Sequence, residues 1–263
     1  MSLTTLDGPL RLVTFDGDVT LYDDGQCLAP ANPVVSRILR LMQKGLFIGI
    51  VTAAGYTDSA RYQERLYGLL EAINNSQDLT ESQKSNLIIL GGESSYLYKF
   101  SPTSPTLLVR EPPENWELDE MRTWSETDIQ HLLDIAETAL KESISTMKLR
   151  ASVIRKERAV GIVPESPEIK FEREQLEEAV LAAQKTLELS DIGRRLPFCA
   201  FNGGNDVFVD IGDKRLGVLC CQRFFGNVTG GQTLHIGGKC QARSRHLLEA
   251  MLISSRSVFI SGT

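Results

Sequence analysis

Two aspartates one residue apart, Asp16 and Asp18, follow the apolar run Leu12-Val-Thr-Phe15 and precede Thr20. A run of this kind reads as a short buried strand. A strand that stops in carboxylates delivers them to its C-terminal edge, where open α/β sheets bind ligands. Carboxylates massed at one edge repel each other, so a hard, oxygen-liganded cation such as Mg²⁺ is expected beside them. An aspartate there can attack phosphorus, while its partner two residues on serves the leaving oxygen as acid and base. The same Asp-Gly-Asp could build a surface turn. It could also open a calcium loop, which needs Gly at its sixth position and Glu at its twelfth; counted from Asp16 those positions hold Leu21 and Cys27, and the calcium reading fails. The turn reading weakens because suitable partners lie downstream.

Those partners must be positioned by regular elements. From Asn32 to Lys44, Val34, Val35, Ile38, Leu39, Leu41 and Met42 recur at helical spacing, with Pro33 suited to the first turn and Gly45 to a stop. Leu46–Val51 is a continuous apolar strand ending in Thr52. Strand, helix and strand at this spacing make a right-handed βαβ unit with parallel strands, so Thr52 is expected at the same sheet edge as Asp16. A hydroxyl there, before Ala53-Ala54-Gly55, can bond a phosphate oxygen beside free backbone amides. Tyr56–Asn74 continues as a charged amphipathic helix, and Leu87–Leu90 as a third strand ending at Gly91-Gly92-Glu93.

Composition then shifts. Ser101–Pro105 and Glu111–Pro113 are turn-rich and interrupt the rhythm. Beyond them a pattern occurs twice: helix Glu126–Ser143 with strands Leu149–Ile154 and Ala159–Val163, then helix Glu172–Leu187 with strands Pro197–Phe201 and Asp206–Ile211 about the turn Asn202-Gly-Gly-Asn205. The expected fold is α/β: a Rossmann-like core with a parallel sheet, residues 1–93 and 212–263, plus an inserted α+β cap, residues 94–211. Lys214 follows the cap where a helix returns to the core.

The bulk properties set limits. The 263 residues, 42% apolar and 24% charged, suit one large or two small globular domains. A net charge of −6 argues against general nucleic-acid binding, although the stretch from Lys214 onward is net +6 and the rest −12. The five cysteines (Cys27, Cys199, Cys220, Cys221, Cys240) show no C-x-x-C spacing and read as reduced thiols without a zinc site. No apolar run spans a membrane and no signal-peptide core opens the chain, so the expected address is the cytoplasm, with no membrane partner.

Asp16-x-Asp18-x-Thr20 resembles the signature of the haloacid-dehalogenase-like phosphotransferases, with Thr52 and Lys214 at their second and third motifs. The run Asp16-Gly-Asp18-Val-Thr20-Leu-Tyr22-Asp-Asp24-Gly25, Val51-Thr52-Ala-Ala, Gly91-Gly92-Glu93 and Phe201–Lys214 together resemble the inosine monophosphate-specific 5′-nucleotidases of fungi and apicomplexan parasites, over about residues 11–237. The resemblance implies a Mg²⁺-dependent phosphatase that releases inosine and phosphate from inosine monophosphate through an aspartyl-phosphate, in purine nucleotide metabolism. It makes Asp16 the nucleophile and Asp18 the general acid and base, both on the metal. It puts Asp24 on the nucleoside, and Thr52 and Lys214 on the phosphate, with Asp18 also touching substrate. It further implies a cytosolic homotetramer with an N-terminal segment that answers to ATP.

Two departures bear on these expectations. The chain begins about ten residues before the first motif, so the ATP-responsive segment is expected to be missing. The family's fourth motif adds a metal-binding carboxylate as Gly-Asp after a strand. Here Thr233–Gly237 reads as that strand but Gly238-Lys-Cys-Gln follows, and the one later acid, Glu249, falls in a predicted helix, Arg243–Leu252. Weakened Mg²⁺ binding and impaired activity are therefore expected. The competing readings are a sugar-phosphate phosphatase or phosphomannomutase-like enzyme, and a non-catalytic truncated product. A dinucleotide-binding module fails because no G-x-G-x-x-G follows the first strand.

Overall fold

The structure, a computed structural model, describes residues 8–18, 20–23 and 25–237. Asp24, Gly238 and the helix expected over Arg243–Leu252 lie outside the described residues. The chain forms two compact units, one of residues up to Leu118 together with those from Lys214 onward, the other Asp119–Asp213.

The first unit is built on a six-stranded sheet. Its strands are β1 (Leu12–Phe15), β2 (Phe47–Val51), β3 (Leu87–Gly91), β4 (Tyr96–Phe100), β5 (Leu108–Arg110) and, after the insertion, a last strand Thr233–Ile236 that returns beside β1. The last strand, β1, β2 and β3 run parallel, while β4 and β5 continue the sheet antiparallel. All four residues of β1 are buried, as expected of a parallel strand covered on both faces. Helix α1 (Pro33–Gln43) starts where Asn32 accepts the Val34 amide at 2.9 Å. Its apolar stripe of Val35, Ile38 and Met42 packs on the sheet. Helix α2 (Ser59–Asn75) is capped by Asp58 and breaks helical geometry at Leu66. The short α3 (Glu81–Lys84) leads into β3.

The second unit is a four-stranded antiparallel sheet. Two helices, α4 (Glu126–Met147) and α5 (Arg173–Leu189), pack with it around one apolar core that includes Leu132, Leu140, Val160, Leu187 and Val209. Its strands are β6 (Ala151–Arg155), β7 (Ala159–Pro164), β8 (Phe198–Asn202) and β9 (Val207–Ile211), in the order β6-β7-β9-β8. The short α6 (Asp191–Arg195) precedes β8. The helix–hairpin pattern expected twice is therefore present twice. Helix α7 (Lys214–Phe224) re-enters the first unit, and the last strand is β10 (Thr233–Ile236).

The expected domain boundary at residue 94 is corrected to 119. Tyr96–Phe100 and Leu108–Arg110 hydrogen-bond onto β3 as a hairpin, and the Ser/Pro-rich stretch between them is its turn. Buried Tyr96, Tyr98 and Phe100 tie the hairpin to the first core. At the other boundary, residues 212 and 213 go with the inserted unit, where the Gly212 amide donates to Pro197 O at 2.8 Å.

Candidate active site

Asp16 is the first residue beyond β1, held in line by its amide, which donates to Ile236 O of β10 at 2.9 Å. Its carboxylate is buried. Oδ1 accepts the Gly17 amide at 2.9 Å, and Oδ2 accepts Lys214 Nζ at 2.6 Å, across 198 residues of chain. The Lys214 and Asp16 side chains retain 17% and 10% of their exposure. Desolvation roughly offsets the attraction in such a pair, so its placement is weak evidence for stability. It does put a cation against a carboxylate at the carboxyl end of β1. Lys214 arrives there because α7 starts with it and seats closely on the sheet. A Cβ on Gly217 would stand 2.4 Å from Glu93 O and 2.6 Å from Val51 Cγ1.

Asp18 is half-buried two residues on and forms a bridge with Tyr22. Burial, and next the charge of Asp18, raise the Tyr22 phenol above its ordinary range. Gly17, between the two aspartates, has no room for a side chain: a Cβ would lie 2.7 Å from the Tyr22 hydroxyl and 3.1 Å from Thr52 Oγ1. Thr52 is thereby placed beside the Asp16–Asp18 turn. It is 2% exposed, its amide donates to Leu90 O at 2.9 Å, and its Oγ1 accepts the Ala54 amide at 3.1 Å. Among the described residues, the amides of the half-buried residues Ala53 and Gly55 donate to no protein acceptor. Two amides without a protein acceptor, close to the Thr52 hydroxyl, are suited to an anionic ligand.

The structure thus gathers Asp16, Asp18, Thr52 and Lys214 at one sheet edge. It also shows neighbours that sequence reasoning gave no role. His235 on β10 is 1% exposed, and its Nδ1 shares a 2.9 Å hydrogen bond with Thr14 Oγ1. Burial lowers its pKa to about 4; nearby Asp16 opposes that shift and Lys214 adds to it. The alternation of Thr233-Leu-His-Ile, with its buried residues at Thr233 and His235, carries the signal for an inward His. Arg65 of α2 is held above its ordinary range. Burial opposes this, and a bond to the Tyr56 hydroxyl and the charges of Tyr56, Asp18 and Tyr22 outweigh it. No local pattern marked Arg65, because its neighbours come from distant segments.

Mg²⁺ takes one or two carboxylates and keeps waters or phosphate oxygens for its remaining positions. Asp16 and Asp18 supply that kind of donor, and their chemistry fits the ion. Among the described residues no group of three His, Cys, Asp or Glu forms a fuller metal cluster.

The sequence profile of the IMP-specific 5′-nucleotidase family matches residues 1–261. The chain belongs to this family. The match runs well past residue 237, beyond the stretch whose wording carried the resemblance. IMP-specific 5′-nucleotidase 1 of Neurospora crassa is 57% identical over 246 residues, covering 90% of this chain and 57% of that protein. The protein of the same name from Aspergillus fumigatus is 53% identical over 257 residues, covering 97% of this chain and 57% of the relative. The chain therefore spans little more than half the length of these relatives. Among solved structures, an N-terminally truncated, IMP-bound Plasmodium falciparum IMP-nucleotidase superposes with a TM-score of 0.82 at 31% identity, covering 99% of this chain and 67% of that one. The ATP-bound form of the Plasmodium protein gives 0.80 at 30%, covering 99% and 58%. The fold is that of a haloacid-dehalogenase-like core with an inserted α+β unit. Among the described residues, no helix is long and apolar enough to cross a membrane.

Proposed function

We propose that this chain hydrolyses inosine 5′-monophosphate to inosine and phosphate through an aspartyl-phosphate on Asp16. The observation that carries the reading is the buried Asp16 carboxylate at the tip of β1, bonded at 2.6 Å to Lys214 Nζ and set beside Thr52. An Asp16 carboxylate oxygen attacks phosphorus as the bond to the 5′ oxygen breaks, and Asp18 gives that oxygen its proton. Water then attacks the phosphorus of the acyl-phosphate, Asp18 takes a proton from it, and phosphate leaves with Asp16 restored. Lys214, the Thr52 hydroxyl and the amides of Ala53 and Gly55 hold the phosphoryl oxygens while negative charge spreads over them. Asp16 and Asp18 would hold Mg²⁺, which when bound supplies further positive charge against those oxygens. Asp24 contacts the nucleoside. A cytoplasmic address, a homo-oligomer (tetrameric in the family) and a response to ATP through an N-terminal segment rest on the resemblance and belong to the same proposal.

Gly238, where the family pattern has Asp, leaves the cation one carboxylate short; losing only the support of a metal ligand typically costs about 10–100-fold in affinity or activity, and losing a ligand is expected to cost at least that. The test is phosphate release from inosine monophosphate, glucose 6-phosphate and mannose 6-phosphate over a Mg²⁺ series, for this chain and for Gly238→Asp. The nucleotide is expected to exceed both sugar phosphates in kcat/KM by about 100-fold or more, with Gly238→Asp lowering the Mg²⁺ requirement. Equal efficiency on all three would turn the assignment to a sugar-phosphate phosphatase. No release from any of them in either chain would leave a non-catalytic relative.

A further inference from the structure

Tyr62 lies on α2, outside the residues given a role in the proposed reaction, yet both hydrogen-bonding capacities of its hydroxyl are spent on the loop after β2. The hydroxyl donates to Ala54 O at 2.6 Å and accepts the Tyr56 amide at 2.9 Å. It therefore clips the loop on either side of Gly55. The ring is 1% exposed and packs between Tyr56 and Tyr98, with centroids 5.1 Å away in both cases. The end of β3 leaves it no freedom, because a Cβ on Gly91 would stand 1.7 Å from the hydroxyl oxygen. The same loop opens with Thr52 and carries the Ala53 and Gly55 amides that have no protein acceptor. A short loop of small residues has little side-chain packing of its own, so its shape must be imposed from outside.

We infer that Tyr62 is a positioning residue for phosphate: its hydroxyl fixes the Thr52–Tyr56 loop so that the Thr52 side chain and the two unpartnered amides converge on one phosphoryl group. This rests on the proposed phosphatase reading, and it is tested through affinity as well as turnover. Tyr62→Phe keeps the ring and removes only the clip. Tyr98→Phe serves as the control: it removes a hydroxyl of the same aromatic cluster that donates to Thr57 O at 2.7 Å, just beyond the loop, and reaches the loop only at its last residue, through a long 3.4 Å contact with Tyr56 O. Binding of inorganic phosphate is measured by calorimetry in the presence of Mg²⁺, alongside KM and kcat on inosine monophosphate. Misplaced positioning groups cost up to about 100-fold. Tyr62→Phe is expected to weaken phosphate binding and raise KM by about tenfold, with kcat changed much less and Tyr98→Phe close to the unaltered chain. Phosphate affinity within twofold of the unaltered chain in Tyr62→Phe, or an equal loss in Tyr98→Phe, overturns the inference. If the unaltered chain binds phosphate but does not hydrolyse the nucleotide, the proposed function fails and the affinity ratio alone decides the role of Tyr62. If it binds no phosphate, both fall.

Discussion

Asp16 has a carboxylate bound on one oxygen by a backbone amide and on the other by a lysine ammonium, and little water reaches it. A neutral amide fits the same volume but cannot form an acyl-phosphate. Asp16→Asn is therefore expected to keep the fold, with some stability lost because Lys214 no longer faces a carboxylate, while turnover falls by about 10⁴-fold or more. Phosphate release and a beryllofluoride complex of the unaltered chain check this, and a complex formed on any other side chain would end the assignment. Asp16, Asp18, Thr52 and Lys214 were legible in the sequence because each stands at the junction of an apolar run with a turn. His235 and Tyr62 were not. Each is a single aromatic residue inside a regular element, and its importance comes from partners 221 and 8 residues away, to which no local spacing points.

At the scale of elements, the parallel strands and their helices follow from continuous apolar runs and capped amphipathic stretches, and both were readable. The β4–β5 hairpin was not, because its Ser/Pro-rich turn resembles a boundary between domains, and only the pairing of Tyr96–Phe100 with β3 shows otherwise. The return helix α7 carries a further consequence. It seats on β2 and β3 through Gly217, whose missing side chain admits Glu93 O and Val51. Adding a methyl there forces backbone to move, and overpacking of this kind costs about 1–3 kcal/mol. Gly217→Ala is thus expected to lose about 2 kcal/mol in chemical denaturation and to lower turnover about fivefold or more by displacing Lys214. Reduced stability with unaltered turnover would show that Lys214 is held independently of the way α7 seats.

The whole molecule holds two buried groups whose titrations pull stability in opposite directions. His235, in the first unit, has a pKa near 4 in the fold against an ordinary 6.5, so the unfolded chain binds more protons between those values. That part of the stability is full above pH 6.5 and is lost as pH falls towards 4. Asp210, in the inserted unit, is raised from 3.8 to about 7 by burial, with Lys156 opposing and Asp206 assisting. Its stability is full below pH 4 and is lost as pH rises to 7, each effect being on the order of 3 kcal/mol. Asp210→Asn should therefore gain on the parent in calorimetric melting temperature by several degrees more at pH 7.5 than at pH 4.5. A difference that does not change with pH would sink the assignment. The pairing of β1 with β10 has one more consequence, in the order in which a ribosome delivers the chain. Thr14 must wait for His235, 221 residues later, and Asp16 for Lys214, 198 residues later. At about 5–20 residues per second, the open edge of β1 waits roughly 10–45 s for its partner. The inserted unit, with every one of its strand pairings inside Asp119–Asp213, can complete its sheet during that interval. A nascent chain is thus expected to pass through a state with a finished insert and β1 paired on its β2 side alone, the stage at which a chaperone would have an exposed edge to shield.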